Sequence, residues 1–511
     1  MELLLITAPL LVALIYGGAQ LKARRDLARR VDLGVDSAAR AMADARAKQV
    51  EMAALRIEAF GRFDALEREE GERLWSRAQS RGVEVGGLLG RATQELETAL
   101  FLDRGRSDVR ERFADLLFER ALFAEERGAT AERDEFVLRL ALYDEGGARS
   151  ARWGAPARVS LRVIPVDADI ALARVVSEGA LRKPVLVPSP WQAGQAELAP
   201  GSYVVTLRAA GYADTKLPFF VTRNERVSFS VELPREEEVP RGYVYVPPGR
   251  FLFGSGAEDS FRRGFFHTVP LHEVSTKGYL IAVFETTFGE WLEFLGTVPV
   301  KERSALVPRV EKGGFQGALA LTELATGGWQ LRFQPTSKSY TARSGERIVY
   351  EGRSRRSEQD WLKFPVFGVS VAEARAYVGW LQRSKRVVGA RLCTEYEWEH
   401  AARGADGREY PHGDALDPED ANIDETYGKL PPAMGPDEVG SHPRSESPFG
   451  LQDMAGNVWE WTQSSLVQGE YAARGGSYYF DVNASRTTER EVTEPDFRDV
   501  TVGVRVCADR P

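Results

Sequence analysis

A long stretch without proline constrains the fold of this chain more than any other feature of its sequence. Residues 23 to 143 are rich in Ala, Leu, Arg and Glu and include no proline. Residues of this kind favour helices, whereas proline removes an amide donor and interrupts them. Apolar side chains also recur at helical spacing, as in Val109, Phe113, Leu116, Leu117 and Ala121. The pattern predicts an α-helical stalk over residues 22–154.

Two helical architectures remain open for this stalk. The sequence at 99–103, followed by a new helical pattern, resembles the junction between two tetratricopeptide repeats. Only one partial repeat is recognisable, although stacked repeats need about three copies for stability. The alternative is a helical bundle or coiled spacer whose charged faces are solvated.

The first residues predict attachment to a membrane. Residues 3–19 form an uncharged apolar stretch of seventeen residues, the lower limit for crossing a hydrocarbon core about 30 Å thick. We expect a transmembrane anchor over residues 1–21. The alternative is a cleaved signal peptide, with Gly17, Gly18 and Ala19 as its small cleavage-site residues. Basic residues that favour the cytoplasmic side follow the stretch, namely Lys22, Arg24, Arg25, Arg29 and Arg30.

Composition excludes several classes of protein. A chain of 511 residues indicates about three domains. With 75 acidic and 67 basic side chains the net charge is -8, which gives no general electrostatic footprint for nucleic acid. We therefore expect no nucleic-acid partner. Two cysteines exclude a disulfide-rich scaffold and any zinc site that needs four cysteines.

Alternating, β-type sequence begins after residue 154. Short apolar stretches at 159–164, 203–207, 219–221 and 227–233 are separated by turn residues, which predicts a small all-β sandwich over residues 155–235. The P-G-S-Y sequence at 200–203 and the A-G-Y sequence at 210–212 resemble the PEGA family of extracytoplasmic bacterial modules. That resemblance implies adhesion or spacing rather than chemistry. An acidic linker bounded by prolines follows at 234–240.

Seven motifs follow one another in the remaining sequence. They are V-P-P-G-R-F-L-F-G-S at 246–255, E-T-T at 285–287, F-P-V at 364–366, R-L-C-T-E-Y-E-W-E at 391–399, F-G-L-Q-D-M-A-G-N-V-W-E-W at 449–461, R-G-G-S-Y at 474–478 and G-V-R at 503–505. Their order resembles the formylglycine-generating-enzyme, or sulfatase-modifying-factor, family, a variant of the C-type lectin fold. The resemblance implies an α+β C-type-lectin-like domain over residues 241–511, with an insertion at about 297–362.

One of these motifs also has a purely structural interpretation. Thr394 and Glu397 have the spacing of a capping box, in which each side chain satisfies an amide at the start of a helix. Trp398, Ala401 and Ala402 then predict a buried face on that helix.

Glu460 points to a structural cation. Two indoles flank this carboxylate, which would be costly to bury without a partner. Calcium takes six to eight oxygen ligands, including backbone carbonyls, and could neutralise it. The alternative is that Glu460 pairs with an arginine.

The family resemblance implies calcium at two places. One maps onto Asp453, Gly456, Val458 and Glu460, with Gly456 and Val458 contributing main-chain oxygens. The other maps onto Asn422 and Ile423, although its further ligands fall where this chain is short and proline-rich, at 431–436. We therefore expect structural calcium at these six residues.

The chain departs from the family at the positions that carry catalysis. In oxidising members two cysteines after the Gly-Gly-Ser segment bind copper(I), and here Phe480 and Ser485 stand in their place. Neither side chain can replace a soft thiolate. We therefore expect no catalytic residue and no bound copper. Cys393 and Cys507 lie elsewhere, and either a disulfide between them or two buried thiols is open.

Iron is not expected either. A second branch of the family holds iron with three histidines, largely from an attached helical bundle. Here the helical stalk has no histidine, and His400, beside Glu399, is expected at the surface or as a helix cap. All five histidines lie after residue 240, at His267, His272, His400, His412 and His442.

The order of segments is similar to the outward half of certain bacterial transmembrane Ser/Thr kinases. No kinase signature occurs in this chain. The similarity implies an extracytoplasmic location, against the basic residues after the apolar stretch, and a Ser/Thr kinase as a candidate partner. We expect a membrane-tethered, non-catalytic recognition or sensor protein that binds a protein, peptide or glycan. Aromatics that could line its ligand surface are Phe265, Phe266, Trp329, Trp361, Tyr479 and Phe480, although most aromatic side chains of such a domain are expected in its core.

Two other functions remain open. The chain could be an iron- or copper-dependent oxidoreductase that uses unrecognised ligands such as Cys393 or His412. It could also be a structural subunit of an envelope complex, with the lectin-like domain as a docking module.

Overall fold

The computed structural model describes residues 2–314 and 317–510, with the side chains of 2–14 and 312–314 outside the description. The chain divides into two compact units, Met1–Ala155 and Pro156–Pro511. The first unit is helical, and the second consists mainly of small β-sheets with helices packed on them. The predicted helical region and a multi-sheet C-terminal part are therefore confirmed.

The first unit contains five helices. They are α1 (Glu2–Asp64), α2 (Arg68–Leu102), α3 (Ser107–Glu126), α4 (Thr130–Leu140) and α5 (Ala148–Trp153). Helices α1 and α2 run antiparallel, because Ser37 on α1 bonds to Glu95 late on α2, while Phe63 lies against Gly71 at its start. Their contact is an apolar seam spaced three or four residues apart, which on α1 comprises Val31, Val35, Ala38, Met42 and Ala45.

The membrane prediction is wrong. Across residues 2–314 and 317–510 we find no helix with the length and apolar character of a membrane span. Residues 3–19, predicted to be an anchor, form the start of the 63-residue helix α1. Their apolar stretch is at the lower limit of a span and runs without a break into charged sequence. The side chains of residues 3–14 lie outside the described set.

Residues 157–232 form two sheets around one apolar core. The sheet orders are β4-β1-β7 and β3-β2-β5-β6, and β1 runs parallel to β7. Val159, Val205 and Phe219 are almost completely buried between them. This is the arrangement expected of a small sandwich, and we call residues 157–232 the β module. Its strands are β1 (Ala157–Ile164), β2 (Asp169–Glu178), β3 (Leu181–Val187), β4 (Gln195–Leu198), β5 (Gly201–Arg208), β6 (Thr215–Val221) and β7 (Arg226–Glu232).

The remaining residues form the C-terminal domain. Two four-stranded sheets frame it, in the orders β18-β23-β11-β8 and β21-β20-β19-β22. The strands outside the insertion are β8 (Tyr243–Val246), β9 (Gly249–Phe253), β10 (His272–Thr276), β11 (Tyr279–Ala282), β18 (Ala390–Leu392), β19 (Trp459–Gln463), β20 (Tyr471–Arg474), β21 (Arg490–Val492), β22 (Val502–Gly503) and β23 (Val506–Asp509). The helices are α6 (Asp259–Gly264), α7 (Phe288–Thr297), α8 (Val300–Arg303), α9 (Val371–Arg383) and α10 (Glu395–Arg403).

Capping boxes begin three helices of this domain. On α10 the hydroxyl of Thr394 accepts the amide of Glu397 at 3.3 Å, while the Glu397 carboxylate accepts the amide of Thr394 at 2.9 Å. The same reciprocal pair starts α7 and α9. Trp398, Ala401 and Ala402 are fully buried, so the structural interpretation of this segment is confirmed.

Residues 297–362 include a separate four-stranded meander in the order β12-β13-β14-β15. Arg353 ties this part to the rest of the domain, because its guanidinium lies 3.7 Å from the ring centre of Tyr350 and 3.8 Å from that of Tyr427. It also pairs with the buried Asp437. The strands are β12 (Arg309–Gly314), β13 (Gly317–Glu323), β14 (Trp329–Gln334), β15 (Tyr340–Arg343), β16 (Ile348–Val349) and β17 (Glu358–Gln359).

Cys393 and Cys507 form a disulfide. The bridge joins the residue before the α10 cap to β23, across 114 positions of sequence, and both side chains are fully buried. Of the two alternatives that the sequence left open, the structure shows the bridge.

Candidate functional site

Two motifs that follow one another in sequence meet where β19 begins and β20 ends. The amide of Gly456 donates to the carbonyl of Gly475 at 2.7 Å, and that of Tyr478 donates to the carbonyl of Asn457 at 3.0 Å. Asp453 and Asn457 both adopt left-handed φ angles, 56° and 62°, which Asp and Asn tolerate better than most side chains. The motifs at 449–461 and 474–478 therefore form one site.

Glu460 is neutralised by an arginine. Its carboxylate is buried, and it accepts Nε of Arg505 at 2.9 Å and Nη2 at 2.7 Å. The indole of Trp398 donates to the same carboxylate at 2.6 Å. Of the two possibilities for Glu460, the structure shows the pair with an arginine.

Arg505 has a full set of acceptors although it is buried. Its Nη1 donates to the carbonyls of Ala282 and Val283 at 3.0 and 2.7 Å, and its Nη2 donates to that of Gln452 at 3.0 Å. A buried guanidinium is tolerated only when its donors and its charge are satisfied. This arginine belongs to the G-V-R motif at 503–505, but nothing in that motif indicated its role.

A second carboxylate lies beside this pair. Glu285 is buried with Oε2 at 3.9 Å from Arg505 Nη2, and this oxygen has no hydrogen-bond partner among the described residues. Burial raises the pKa of Glu285 well above its usual range, and the nearby Asp453 raises it further. Burial also raises the pKa of Asp453. Asn457 donates to Glu285 Oε1 at 3.3 Å, so these side chains form one polar cluster.

The residues predicted to hold calcium fall into two adjoining groups. Arg505 contacts the side chain of Glu460 and the carbonyl of Asp453, which brings these two together. Asn422 forms a backbone bridge with Gly456, and its Nδ2 donates to Asn457 Oδ1 at 3.2 Å. Asn422 Oδ1 is buried and has no hydrogen-bond partner in the described part of the chain. The remaining two, Ile423 and Val458, are buried in two different apolar clusters.

These groups differ from a cage of charged ligands. Within residues 2–314 and 317–510, no three His, Cys, Asp or Glu side chains are grouped so that they could hold a metal ion. Main-chain carbonyls and Asn side chains could still supply oxygen ligands. Calcium at these positions therefore stays a prediction.

Phe480 and Ser485 have surroundings unlike those of a thiolate pair. The Phe480 ring packs edge-to-face on Trp459 and on Tyr479, each with ring centres 5.7 Å apart. Ser485 is fully buried, and a side chain at Gly476 would overlap its hydroxyl. Neither residue offers sulfur or another soft ligand for copper(I).

His400 is not at the surface. It is almost completely buried, its ring stacks on Phe251 with centres 4.7 Å apart, and Nδ1 lies 2.8 Å from Thr276 Oγ1. Burial lowers its pKa to about 3. The prediction of a surface or capping residue is wrong, because β9 and β10 cover this face of α10.

The ligands suggested for the oxidoreductase alternative are engaged elsewhere. Cys393 is bonded to Cys507, so its sulfur is not a thiolate. His412 is buried, with Nε2 at 3.1 Å from Asp420 Oδ2.

The predicted aromatic surface is only partly formed. Phe266 and Trp361 are fully buried, so their prediction as ligand contacts is wrong, and Trp329 and Phe480 are half-buried. Phe265 and Tyr479 are each 37% exposed. Phe261, which the sequence did not single out, is 41% exposed and stacks on Phe265 with ring centres 5.1 Å apart.

A buried ion network surrounds Arg474, the cross-strand partner of Glu460 in the β19–β20 pair. Glu395 accepts from Arg474 at 3.0 Å and from Arg490 at 2.8 Å. Burial alone would raise the pKa of Glu395, but these guanidinium groups bring it down to about 2. Arg474 also pairs with Glu399. The R-G-G-S-Y motif contained this arginine, but nothing in the sequence indicated its partners on α10.

Glu489 lies near this network but forms no ion pair with any described residue. It is buried, and its Oε2 has no hydrogen-bond partner within the described residues. Burial raises its pKa to about 9, despite the nearby charge of Arg474. Glu489 is therefore a protonated carboxyl group at neutral pH, and sequence analysis missed it.

Comparison with known proteins agrees with the motifs. The family model for the sulfatase-modifying factor enzyme 1-like domain matches residues 229–510. The inactive C-alpha-formylglycine-generating enzyme 2 of Bos taurus is 31% identical over 286 residues, covering 52% of this chain and 87% of the bovine protein. Hercynine oxygenase of Mycobacterium tuberculosis is 30% identical over 267 residues, covering 47% of this chain and 55% of that protein.

A kinase is also among the relatives. Serine/threonine-protein kinase Pkn1 of Chlamydia trachomatis serovar L2 is 29% identical over 326 residues, covering 58% of this chain and 44% of the kinase. The predicted likeness to the formylglycine-generating-enzyme family and to bacterial kinases is confirmed. The chain belongs to the sulfatase-modifying factor enzyme 1-like family.

Proposed function

We propose that the C-terminal domain recognises a ligand without catalysing a reaction. The proposal is carried by Phe480 and Ser485, which the family resemblance matches to the copper-binding cysteines of oxidising members. The ring of Phe480 packs on Trp459, and the hydroxyl of Ser485 lies where a Cβ atom added at Gly476 would overlap it. The bovine relative, which is named inactive, supports the same conclusion.

The ligand in this proposal is a protein, peptide or glycan. The stacked, exposed rings of Phe261 and Phe265 and the exposed ring of Tyr479 offer apolar faces to such a ligand. Aromatic side chains of this kind contribute large contact areas at interfaces. Phe266, next to Phe265, lies 5.5 Å from the guanidinium of Arg486, which adjoins Ser485 in sequence. The relative named as a kinase supports a Ser/Thr kinase as the partner in signalling.

Calcium is part of the proposal as a structural ion. The orphan oxygen of Asn422 and the main-chain oxygen of Ile423 are one candidate donor set, and Asp453, Gly456, Val458 and Glu460 are the other. Glu460 is already paired with Arg505, whereas Asn422 Oδ1 has no hydrogen-bond partner among the described residues. The set that includes Asn422 is therefore the better candidate for binding calcium. Metal analysis of dialysed protein should find calcium, and a chelator should lower the melting temperature. Absence of calcium together with unchanged melting would contradict this part.

An oxidoreductase is the second candidate, because hercynine oxygenase is a relative. It would need ligands other than Cys393, which is held in a disulfide. A structural subunit of an envelope complex remains the third candidate, in which the same aromatic surface would dock a protein.

Copper(I) binding tests the non-catalytic proposal. We would titrate wild-type protein, Ser485→Cys and the double variant Phe480→Cys/Ser485→Cys with copper(I) in competition with a chromogenic chelator. Because copper(I) prefers two thiolates, only the double variant should withdraw one copper per chain. The single variant is the matched control. Stoichiometric copper withdrawal by the wild type would overturn the proposal.

A further inference from the structure

The β2–β3 hairpin of the β module is joined to the C-terminal domain by main-chain hydrogen bonds. The amide of Arg182 donates to the carbonyl of His412 at 3.0 Å, and the amide of Asp414 donates to the carbonyl of Ala180 at 2.8 Å. These bonds flank an antiparallel bridge between Leu181 and Gly413. Any side chain at 413 would overlap the Ala180 carbonyl oxygen, so glycine permits this approach.

The side chain of Arg182 reinforces this junction. Its Nε and Nη2 each lie 2.9 Å from a carboxylate oxygen of Asp414, and Nη1 lies 3.1 Å from Oδ1 of Asp406. The Asp406 side chain is buried, which alone would raise its pKa, but Arg408 and Arg182 lower that pKa to about 2. Two-pronged guanidinium–carboxylate pairs of this kind are both strong and directional.

The opposite side of the same loop carries residues next to Ser485. The amide of Thr487 donates to the carbonyl of Glu409 at 2.9 Å, and Arg486 Nη1 lies 2.7 Å from Glu409 Oε2. The hydroxyl of Tyr410 donates to the carbonyl of Val482 at 3.1 Å. The loop at 405–414 is therefore held between the hairpin and residues 479–487, which we call the recognition segment.

Arg408 connects the two sides of the loop. Its Nε and Nη2 donate to the Asp406 carboxylate at 2.8 and 3.0 Å, the same carboxylate that pairs with Arg182. The hydroxyl of Thr487 contacts the carbonyl of Arg408 at 3.4 Å and that of Glu409 at 3.1 Å. A continuous set of polar contacts thus runs from the hairpin to the recognition segment.

Further contacts hold the β module against the domain at a distance from the hairpin. Arg250 on β9 donates to the carbonyl of Phe220 at 3.1 Å and pairs with Glu225. Arg510 lies 3.2 Å from the carboxylate of Glu232 at the end of β7. Anchors at three places resist rotation of the β module about any one of them.

We propose that the β module is a brace for the recognition segment, and that Arg182 is a positioning residue acting through Asp406 and the loop at 405–414. The inference rests on the proposed function only in giving residues 479–487 a role in ligand binding. The bracing itself is a property of the fold. The β module would thus hold residues 479–487 in position, in addition to the adhesion or spacing that its sequence suggests.

Hydrogen–deuterium exchange of the full chain tests this brace. We would compare the wild type with Arg182→Gln, which removes the charge and the two-pronged bond. Arg158→Gln is the matched control, because Arg158 is an exposed arginine of the same module paired with Glu197. Amides in peptides covering 482–490 should exchange roughly ten times faster in Arg182→Gln, while those in α9 should not change. The control should match the wild type throughout.

Unchanged exchange at 482–490 alongside faster exchange at 406–414 would overturn the proposal, because the hairpin contact would then be local. If Arg182→Gln fails to fold, Asp414→Asn weakens the same contact and gives the same readout. Copper uptake by the wild-type protein would contradict the non-catalytic function without altering these exchange rates, so the two failures are distinguishable.

Discussion

Glu460 and Arg505 form an ion pair at the centre of the C-terminal domain, with Nη2 2.7 Å from Oε1 and both side chains buried. Glu460 lies on β19, and Arg505 directly precedes β23. Arg505 also donates to the carbonyl of Val283, directly after β11, and to that of Gln452, so one guanidinium links three parts of the fold. The carboxylate in the W-E-W sequence at 459–461 therefore forms a structural ion pair in this chain.

Breaking this pair should be strongly destabilising. Glu460→Gln removes the closest counter-ion of the buried Arg505 and leaves only the more distant Glu285, at 3.9 Å, so we expect the free energy of unfolding to fall by about 3–5 kcal/mol. Urea denaturation followed by tryptophan fluorescence measures this loss. Glu197→Gln is the control, because the Glu197–Arg158 pair is exposed and should contribute under about 1 kcal/mol. A loss at Glu460 as small as that of the control would refute the assignment.

The disulfide should stabilise the second unit. It closes a loop between positions 114 residues apart, and removing it in Cys393→Ala/Cys507→Ala should cost about 2–5 kcal/mol. Differential scanning calorimetry of the wild type and the double variant provides the comparison. Thiol counting in denaturant should give no free thiol before reduction and two afterwards. Equal melting temperatures would contradict a stabilising bridge.

His400 should make folding stability depend on acid pH. Its pKa is near 6.5 when unfolded and about 3 in the folded protein, so the unfolded chain binds more protons between these values. Stability should therefore decrease as pH falls from about 6.5 towards 3, by up to about 1.4 kcal/mol per pH unit. His400→Gln should flatten this dependence in urea titrations at several pH values. The exposed His267→Gln is the control, and an identical slope in wild type and His400→Gln would exclude this cause.

Glu489 should make folding stability depend on pH in the direction opposite to that of His400. Its pKa is near 4.5 when unfolded and about 9 when folded, so the folded protein holds the extra proton between these values. Stability should therefore decrease as pH rises from about 4.5 towards 9, again by up to about 1.4 kcal/mol per unit. Glu489→Gln should match the wild type near pH 4.5 and melt higher at pH 8. The exposed Glu494→Gln should do neither, and a lower melting temperature for Glu489→Gln at pH 8 would show that the carboxyl is ionised.

Local sequence patterns predicted the secondary structure well. The proline-free stretch gave the helices of the first unit, and the Thr394–Glu397 spacing gave the start of α10. These features depend on residues a few positions apart, so propensity and capping suffice to predict them. The buried face of α10 followed from the same local pattern.

Long-range partners were the part that sequence could not supply. Arg505 reaches Glu460 only because β19 and the segment before β23 meet in the folded domain. Phe266 and Trp361 look like surface aromatics in loops, but the loops fold inward over the core. The hairpin that meets Gly413 belongs to another module, which no motif could connect to the site.

Metal content and oxygen consumption, measured on the same purified 511-residue protein, show whether the C-terminal domain is non-catalytic. Copper and iron would be determined by mass spectrometry, and oxygen uptake would be followed with a cysteine-containing peptide as the thiol substrate. We expect less than one copper or iron per chain, and no oxygen uptake above that of the peptide alone. One copper or iron per chain together with conversion of the thiol would contradict it.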